Sequence, residues 1–434
     1  MAFFEPPLEK MRPAKIEALQ LQRLKKIVRY AATRVPFYRK RLKQAKVNSD
    51  PIGKLEDVQK LPFTMKDDLR SNYPYGLLAV PIEDIVEFHA SSGTTGKPTV
   101  VGYNRHDLET WTRLMGRCYA AAGARKGDVV QNAYGYGLFT GGLGFHYGAQ
   151  ALGLAVWPMS SGNTKRQLLF MKDMGSTILA STPSYALYVG EEAKKEGYNL
   201  EKDFKLRLGM FGAEPWSEEA RRKVQDTLGI RANDCYGLSE LYGPGVAMEC
   251  EEQHGLHIWT DEFLPETIDP ATGKVLEPGE RGELVFTMLT REAMPLLRYR
   301  TRDLARIDME ECECGRYHPR IMRVTGRSDD MLIIGGVNVF PSQVEHVLMG
   351  IEGVGEWYEI IVDRDILDRL HVRVEVDPKF YGSPEFDPQI LQQTITEELR
   401  AVLTVFARVE LLKPGTITRT EGKAKRVVDL RKQL

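Results

Sequence analysis

Short β-branched runs alternate with amphipathic stretches along the chain from residue 86 to about residue 323. Strands followed by helical segments at this spacing are typical of βαβ units, whose strands pair in a parallel sheet. Predicted strands of this kind span residues 129–132, 155–158, 177–181 and 206–210. Residues 282–288 and 305–308 instead look like strands joined by turn-rich loops. The pattern therefore predicts an α/β fold with parallel sheets and a barrel-like part.

The pattern changes at the segment Gly326-Arg-Ser-Asp-Asp-Met331. Beyond it come a glycine-rich turn, a helix starting near Pro341, an alternating strand at 371–376, a helix from about Asp387 and a basic tail. We therefore predict a large domain at residues 1–326 and a small α+β domain at residues 327–434. The first fifty or so residues carry apolar side chains mostly three or four apart, which predicts a helix docked on the large domain.

Charge and cysteine content exclude several classes of protein. The 434 residues contain 59 Lys and Arg and 60 Asp and Glu, giving a net charge of −1 without long blocks of like charge. This balance argues against a surface groove for nucleic acid. No apolar run suits a transmembrane helix, and an N-terminus with an early acid and two prolines does not resemble a signal peptide. Five cysteines, an odd and sparse set, indicate a reducing compartment. We expect a cytoplasmic protein without nucleic-acid or membrane partners.

The segment from Ser91 to Lys97 places four hydroxyls, two glycines and a lysine within seven residues. Glycines let a backbone turn around an anion, and hydroxyls and lysine donate hydrogen bonds to it, so this composition suits a polyphosphate loop. A Walker loop is excluded, because Ser91 and Pro98 stand where that motif needs glycine and Ser or Thr. A hairpin loop without a ligand is the alternative. The candidate phosphate-binding residues are Ser91, Ser92, Gly93, Thr94, Thr95, Gly96 and Lys97.

This loop resembles the phosphate loop of the adenylate-forming superfamily of acyl-CoA synthetases. Further motifs follow in that superfamily's order, from about residue 60 to the C-terminus. They are an adenine-flanking turn at 211–216, an aromatic-Gly-x-Thr-Glu segment at 234–240, a Tyr-x-Thr-Gly-Asp element at 299–303, an interdomain hinge at 326–330 and a catalytic-lysine loop at 422–423. Ser239 stands where threonine is usual, and Arg302 where glycine is usual.

Within the superfamily, the closest resemblance is to phenylacetate-CoA ligases. The segments Tyr134-Gly-Tyr-Gly-Leu-Phe-Thr-Gly-Gly-Leu-Gly144 and Gly336-Val-Asn-Val-Phe-Pro341 carry it, together with a short N-terminal region. Gly335 departs from that family, in which arginine is usual. The resemblance implies the adenylate-forming fold, with a large N-terminal and a mobile C-terminal domain. It also implies ATP, Mg²⁺ and CoA, and a tendency to form a homodimer.

The resemblance implies nucleotide-binding roles that have physical reasons. Tyr236 offers a flat face to adenine, and the backbone at Gly212 can approach the base. Asp303 can accept both ribose hydroxyls while Arg327 donates from the other side, and Glu240 offers Mg²⁺ a hard oxygen ligand. Each residue alone is equally compatible with a surface salt bridge or a core tyrosine. The candidate nucleotide-binding residues in these motifs are Gly212, Ala213, Glu214, Pro215, Asp234, Tyr236, Gly237, Ser239, Asp303 and Arg327.

The implied catalytic residues are Lys423, Lys97 and Glu240. Lys423 lies in a polar stretch that, without the resemblance, indicates a solvated basic tail, and Lys425 is the alternative. A lysine there can bridge the substrate carboxylate and the α-phosphate and offset the repulsion between the two anions. For the second step, the resemblance implies rotation of the small domain about Asp329, which presents the turn at Gly335 and Gly336 to CoA.

The glycine-rich aromatic segment at 134–144 predicts a pocket for the acid. Tyr136 and Phe139 can supply aromatic walls, while Gly141 and Gly142 leave room for a planar ring. Aromatic packing around a helix start is the alternative. His146 is either a pocket wall or a buried core histidine, and we favour the latter.

Three cysteines and a histidine form a candidate structural zinc site. Cys250, His257, Cys312 and Cys314 supply three sulfurs and one imidazole, which is a complete tetrahedral set. His254 or His318 could replace His257, and free thiols are the alternative. Such a site would join loops away from the chemistry.

Together these features predict an AMP-forming ligase that converts an aromatic acid, phenylacetate or a close relative, into an acyl-adenylate and then an acyl-CoA. The closest rival is an adenylating enzyme that passes the acid to a carrier-protein thiol. A rival of another class is a non-catalytic nucleotide-binding protein on the same fold.

Overall fold

The structure is a computed structural model that describes residues 2–47, 52–91, 97–330, 332–334, 337–364, 368–419 and 426–433. Its α-helices are α1 Pro6–Glu9, α2 Pro13–Arg34, α3 Pro36–Gln44, α4 Lys66–Ser71, α5 Arg105–Ala121, α6 Thr140–Ala151, α7 Thr164–Asp173, α8 Pro183–Lys195, α9 Leu200–Asp203, α10 Glu218–Leu228, α11 Pro341–Gly350 and α12 Pro388–Leu403. Short 3-10 helices span Leu55–Lys60, Ile82–Asp84, Ser239–Leu241 and Leu430–Gln433.

The strands of the large domain are β1 Glu87–Ala90, β2 Val100–Tyr103, β3 Val129–Asn132, β4 Ala155–Trp157, β5 Ile178–Ser181, β6 Leu208–Gly212, β7 Arg231–Leu238, β8 Gly243–Glu249, β9 Leu256–Ile258, β10 Phe263–Ile268, β11 Gly282–Met288, β12 Tyr299–Ala305, β13 Ile307–Asp308, β14 Arg320–Ile321 and β15 Gly326–Arg327. Those that follow are β16 Leu332–Ile334, β17 Val337–Val339, β18 Val354–Arg364, β19 Asp368–Val376, β20 Ala407–Leu412 and β21 Val427–Asp429.

The largest sheet has the strand order β13-β14-β9-β8-β7-β6-β5-β3-β4. Strands β3 to β7 pair in parallel, as the βαβ pattern predicts. From β7 onward the pairing is antiparallel. The connection between β7 and β8 is a short turn, and a tight turn can join only antiparallel neighbours. Because Glu240 lies in this turn, the switch in direction places it where the parallel strands end.

A second sheet of the large domain is antiparallel, in the order β10-β11-β12-β15. It contains the predicted strand at 282–288, whereas the predicted strand at 305–308 is divided: Ala305 ends β12, and residues 307–308 form β13 in the largest sheet. The last pair of the second sheet aligns Asp303 with Arg327 across the strands. Helices α2 and α3 confirm the predicted N-terminal helix and bury Leu24, Val28 and Tyr38 in the large-domain core. None of the helices formed by the described residues is long and apolar enough to cross a membrane.

The small domain has its own core around a sheet with the order β20-β19-β18-β21. Helices α11 and α12 pack on it, as predicted from the starts near Pro341 and Asp387. The prediction of a simple basic tail is wrong for its final part. Residues 427–429 form β21, which pairs in parallel with β18; Val427 and Val428 are β-branched residues, which favour strands.

Candidate active site

The candidate phosphate loop joins β1 to β2, and the structure describes its stem. The Ser91 amide donates to the Thr99 carbonyl at 3.0 Å, and the Thr99 amide donates to Ser91 Oγ at 3.2 Å. Lys97 is exposed, and its Nζ lies 5.6 Å from the centre of the Tyr73 ring. Ser92, Gly93, Thr94, Thr95 and Gly96 lie outside the described residues. The stem therefore presents the candidate loop at the end of a two-stranded hairpin.

Glu240 reaches the same stem from the largest sheet. Its side chain is buried, and its Oε1 lies 3.3 Å from Thr99 Oγ1 and 3.4 Å from Lys66 Nζ. Ser239 begins the 3-10 turn that presents this carboxylate. The motifs do not identify Lys66, which begins α4 far from them in sequence, whereas Thr99 directly follows the phosphate loop. The fold thus joins one carboxylate, one ammonium and two hydroxyls at the loop.

Tyr236, Asp303 and Arg327 form a hydrogen-bonded set that we call the ribose row. The Tyr236 hydroxyl donates to Asp303 Oδ2 at 2.6 Å, and Arg327 Nη1 donates to Asp303 Oδ1 at 3.2 Å. Burial and the Asp303 carboxylate raise the pKa of Tyr236 well above its ordinary value, which keeps the hydroxyl protonated as a donor. The structure therefore brings these three predicted residues together from β7, β12 and β15.

The predicted hinge residue Asp329 is held by the same arginine. Arg327 Nε and Nη2 donate to its two carboxylate oxygens at 2.9 and 3.0 Å. This bidentate pair fixes the plane of the Arg327 guanidinium group, which also bonds to Asp303 of the ribose row. Movement at Asp329 is consequently coupled to a residue of the candidate nucleotide site.

The predicted adenine turn follows β6 and has close backbone packing. A Cβ at Gly212 would lie 2.3 Å from the carbonyl oxygen of Cys235, so only glycine fits. Ala213 has a φ of 71°, a left-handed conformation that an alanine adopts at a cost. Glu214 Oε1 accepts from the Ser184 amide at 2.7 Å, at the start of α8. Glu214 thus anchors the turn to the start of α8. Pro215 is the next residue of the turn.

Two more residues of the 234–240 segment have distinct environments. Burial, together with the carboxylate of Glu249, raises the pKa of Asp234 and so favours its protonated form, which can donate as well as accept. Gly237 lies against β8, where a Cβ would meet the Gly243 carbonyl oxygen at 1.8 Å. Any side chain at 237 would separate the two strands.

The predicted acid-pocket residues surround the start of α6. The Tyr136 hydroxyl lies 2.7 Å from Asn132 Nδ2 and 3.1 Å from His146 Nδ1, and burial raises the pKa of Tyr136 to about 12. His146 is thus a hydrogen-bonded partner of Tyr136, and burial lowers its pKa. Phe139 is half exposed, with 52% of its surface accessible.

The proposed reason for the glycines in this segment needs correction. A Cβ at Gly142 would lie 2.6 Å from the Gly135 carbonyl oxygen, and one at Gly141 would lie 3.3 Å from the Tyr134 ring. The space beside these glycines is therefore filled by the protein itself. They allow α6 to pack closely on the preceding loop rather than leaving room for a ring.

Cys250, His257, Cys312 and Cys314 converge, with all four ligand atoms within 4.8 Å of one another. Cys250 Sγ lies 3.8 Å from Cys312 Sγ, and Cys314 Sγ lies 3.3 Å from His257 Nε2. A tetrahedral zinc with bonds of about 2.3 Å needs sulfur atoms about 3.8 Å apart. All four residues are buried, so the donor set fits zinc in both type and spacing.

The histidine of this cluster is His257 rather than either alternative. His257 Nδ1 lies 2.9 Å from the His318 carbonyl oxygen, which leaves Nε2 directed at the sulfurs. His318 Nδ1 contacts Thr260 instead, and His254 uses its carbonyl to accept from Arg320. Hydrogen bonds from Cys250 and His257 lower the pKa of Cys314, which favours the thiolate form that metals bind.

The remaining predicted residues belong to the small domain. Lys423, its alternative Lys425, and the turn residues Gly335 and Gly336 lie outside the described residues. One contact between the domains is made by Glu345 on α11, which accepts from the Ser217 amide of the large domain at 3.0 Å. Glu345 also accepts from the Tyr358 hydroxyl of its own domain at 2.6 Å. Because Ser217 follows the adenine turn, its contact with Glu345 joins the small domain to the candidate nucleotide site.

Comparison with known families covers most of the chain. The family model of the AMP-binding enzyme matches residues 16–288, and that of the AMP-binding enzyme C-terminal domain matches residues 336–431. The phenylacetate-coenzyme A ligase of Thermus thermophilus is 48% identical, over 99% of this chain and 100% of that protein. The phenylacetate-coenzyme A ligase of Pseudomonas putida is 49% identical, over 98% of this chain and 97% of that protein.

Two solved structures of one 2-hydroxyisobutyryl-CoA ligase distinguish domain arrangements. Its postadenylation state, in complex with 2-HIB-AMP, is 30% identical and matches with a TM-score of 0.93 over 99% of this chain and 92% of that chain. Its thioesterification state, in complex with 2-HIB-AMP and CoA, matches over 99% of this chain and 93% of that chain with a TM-score of only 0.73. The small domain is therefore placed as in the postadenylation state.

Proposed function

This chain belongs to the phenylacetate-CoA ligase family, and from that premise we propose how its residues join an aromatic acid to CoA. The reaction depends on ATP and passes through an acyl-adenylate. A carboxylate oxygen attacks the α-phosphorus and pyrophosphate leaves; the CoA thiolate then attacks the acyl carbon and AMP leaves. We propose phenylacetate as the acid, because it is named in the relatives that share nearly half of the residues.

The single observation that carries the assignment of residues is that the end of β7 serves both sets: Tyr236 on this strand bonds to Asp303, and Glu240 in the turn that follows meets Thr99 of the phosphate-loop stem. In our proposal Asp303 accepts from the ribose hydroxyls, Tyr236 stacks on adenine, and Arg327 orients Asp303. Ser91 and Lys97, with the hydroxyls and amides between them, bind the triphosphate. Gly212, Ala213, Glu214, Pro215, Asp234, Gly237 and Ser239 shape the adenine side.

Glu240 suits Mg²⁺ because it offers a buried carboxylate oxygen at the phosphate loop, beside the Thr99 hydroxyl. Bound there, the ion would neutralise part of the triphosphate charge. Lys66 pairs with the same oxygen at 3.4 Å and provides a second positive charge on this side. The Mg²⁺ ion and the Lys66 ammonium would together offset the electrostatic repulsion between the carboxylate substrate and ATP.

We assign Lys423 to the first step, in which it bridges the two anions. For the second step, the small domain, residues 327–434, rotates about Asp329 and brings Gly335 and Gly336 to the site, where CoA enters. Tyr136 and Phe139 line the acid pocket, with Gly141 and Gly142 in its packed floor.

Cys250, His257, Cys312 and Cys314 hold a structural zinc ion in our proposal, since their donor atoms have the spacing of a closed tetrahedral site. Cys250 and His257 lie at strands β8 and β9, whereas the other two lie in the loop before β14. Zinc would tie this loop to the edge of the largest sheet.

We also propose that the protein is located in the cytoplasm and that it forms a homodimer. The first rests on the five buried cysteines, which form no disulfide in the structure described. The second rests on the tendency of the family.

One assay tests the activity and the lysine together. Acid-dependent exchange of pyrophosphate into ATP is measured for phenylacetate, hydroxyphenylacetates, indoleacetate, benzoates and short fatty acids, followed by thioester formation with CoA. We expect phenylacetate to be best in both. Strong exchange without a thioester would favour transfer to a carrier protein, and ATP binding without exchange for any acid would favour a non-catalytic protein.

Lys423→Ala should reduce exchange by about 10³-fold, since it removes a group that stabilises developing charge. Formation of thioester from supplied phenylacetyl-adenylate should remain close to wild type. Equal loss in the two assays would contradict the assigned role, and the same loss in Lys425→Ala alone would transfer the role to that residue.

A further inference from the structure

Two arginines bracket residues 420–425, the segment that includes Lys423. Arg419 precedes the segment and Arg426 follows it, and their guanidinium carbons lie 4.2 and 5.5 Å from the centre of the Trp357 ring. Arg426 also lies 4.3 Å from the centre of the Tyr358 ring. Since cations are attracted to aromatic faces, adjacent rings of β18 hold both ends of the segment.

Within the small domain these ends are fixed independently of the large domain. Arg419 donates from Nη1 and Nη2 to the two carboxylate oxygens of Glu375 at 2.8 and 2.9 Å, and Glu375 is buried. Arg426 Nη1 donates to the Glu356 carbonyl at 3.1 Å, and its own carbonyl accepts from the Ile360 amide at 2.7 Å. Arg419 and Arg426 are therefore held by contacts within the small domain and move with it.

One carboxylate of the large domain contacts this assembly. Glu191 lies on α8, and its Oε1 accepts from Trp357 Nε1 at 2.9 Å. Its Oε2 lies 3.4 Å from Arg419 Nε. The Tyr188 ring, one turn earlier on α8, meets Trp357 edge to face at 6.4 Å. A single side chain of the large domain thus engages both the ring and one of the arginines that hold the segment.

We propose that Glu191 is a positioning residue for the adenylation step. By docking Trp357 and Arg419 on α8, it fixes Arg419 and Arg426, the described residues on either side of Lys423, relative to the large domain. This inference rests on the proposed role of Lys423. Rotation of the small domain for the second step has to break both contacts of Glu191, while the bonds between Arg419 and Glu375 can persist. Glu191 therefore favours one domain arrangement and leaves the other unaffected.

The test compares the two half-reactions in Glu191→Gln and Trp357→Phe of the full chain. The first variant removes the charge opposite Arg419, and the second removes the indole N–H but keeps an aromatic ring. A hydrogen bond to a charged group has an effect on the order of tenfold or more in an equilibrium. We expect pyrophosphate exchange with phenylacetate to fall about tenfold in each variant, and thioester formation from supplied phenylacetyl-adenylate to stay within about twofold of wild type.

Glu192→Gln is the matched control, because Glu192 is the next residue of α8 and pairs with Lys195 of the same helix at 3.5 Å. It should leave both rates unchanged. The double variant of Glu191 and Trp357 should lose less than the product of the two single losses, since both substitutions act on the contacts of one side chain, Glu191. Unchanged exchange in Glu191→Gln, or equal losses in the two half-reactions, would overturn the proposal.

Lys423→Ala is measured in parallel to separate this inference from the proposed function. If Lys423→Ala retains exchange, the assignment of the lysine fails. If Lys423→Ala loses exchange and Glu191→Gln does not, only the positioning role of Glu191 fails.

Discussion

The ribose row and the interface between the domains both pair carboxylates with hydrogen-bond donors. The row lies on strands of the large domain, whereas the interface joins residues of two domains. Asp303 and Arg327 face each other across paired strands, so Arg327, although it is the first residue beyond the predicted boundary, belongs to a sheet of the large domain. The Tyr236 hydroxyl completes the row. At the interface, Glu191 and Glu345 each reach residues of the other domain across a boundary without strand pairing. The row is thus a permanent part of one domain, whereas the interface exists in one arrangement of two domains.

This difference predicts which half-reactions a substitution affects. AMP is present in both steps, as part of ATP and then of the adenylate, so damage to the row should affect both. The interface belongs to the postadenylation-like arrangement, so damage there should affect adenylation alone.

The largest expected effect is that of Asp303→Asn in the ribose row. The amide keeps the shape of the side chain but loses the charge that faces Arg327 and the ribose hydroxyls. We expect kcat/KM for ATP in pyrophosphate exchange, and kcat/KM for phenylacetyl-adenylate in thioester formation, to fall about 10- to 100-fold each. A loss confined to one half-reaction would contradict the assignment of the row to both steps.

Loss of the proposed zinc ion should lower the melting temperature and leave the ratio of the rates of the two half-reactions unchanged. Metal analysis should find about one zinc per chain, and Cys314→Ser should lower that content and the melting temperature by about 5–10 °C. Cys118→Ser is the control, because Cys118 is also a buried free thiol but lies outside the cluster, and it should retain the metal. Retention of zinc by Cys314→Ser would reject the assigned ligand set.

Glu345→Gln tests the interface at the contact next to the adenine turn. It weakens the acceptor for the Ser217 amide, so exchange should fall about tenfold while thioester formation from the adenylate is maintained. His346→Ala is a control from the following position, since His346 is largely exposed and lies 3.2 Å from Glu219. Exposed ion pairs contribute little, and this control should stay within about twofold. Similar losses in both variants would indicate general damage to α11.

The smallest expected effect concerns Glu356, whose carboxyl group is partly buried at the same interface. Burial, with the carboxylate of Glu191, raises its pKa to about 7. Lys194 and Lys223 lower this pKa, and Asp377 raises it. Because the folded protein binds this proton more tightly than the unfolded chain, Glu356 contributes stability at low pH that is lost as the pH rises from about 4.5 through 7.

Urea unfolding of wild type and Glu356→Gln at pH 5 and pH 8 measures this contribution. The wild-type free energy of unfolding should decrease between these pH values by on the order of 1–3 kcal/mol more than that of the variant. Asp234 has a raised pKa in both proteins, so the difference between them is the readout. Identical pH dependence would show that Glu356 is not protonated at the interface.

Much of the fold was predictable because it depends on local pattern. The alternation of β-branched runs with amphipathic stretches predicted β3, β5 and β6 to within a few residues, and the starts of α11 and α12 agree with the structure. The prediction for the tail missed β21, whose pairing with β18 brings together residues about 67 positions apart. The glycine-rich pattern predicts a close approach at residues 141 and 142, but it does not show whether a ligand or another part of the protein approaches them. In the structure, the neighbours are Tyr134 and Gly135.

The sequence by itself determined the family and its chemistry, since these follow from residue types in short motifs. Only the tertiary structure decided which residues meet: Lys66 at Glu240, His257 rather than His318 among the cysteines, and Glu191 at Trp357. None of these pairs is close in sequence, and each side chain alone is an ordinary polar residue. A contact of this kind depends on strand order, register and domain placement, which the packing of the whole chain sets and no local pattern encodes.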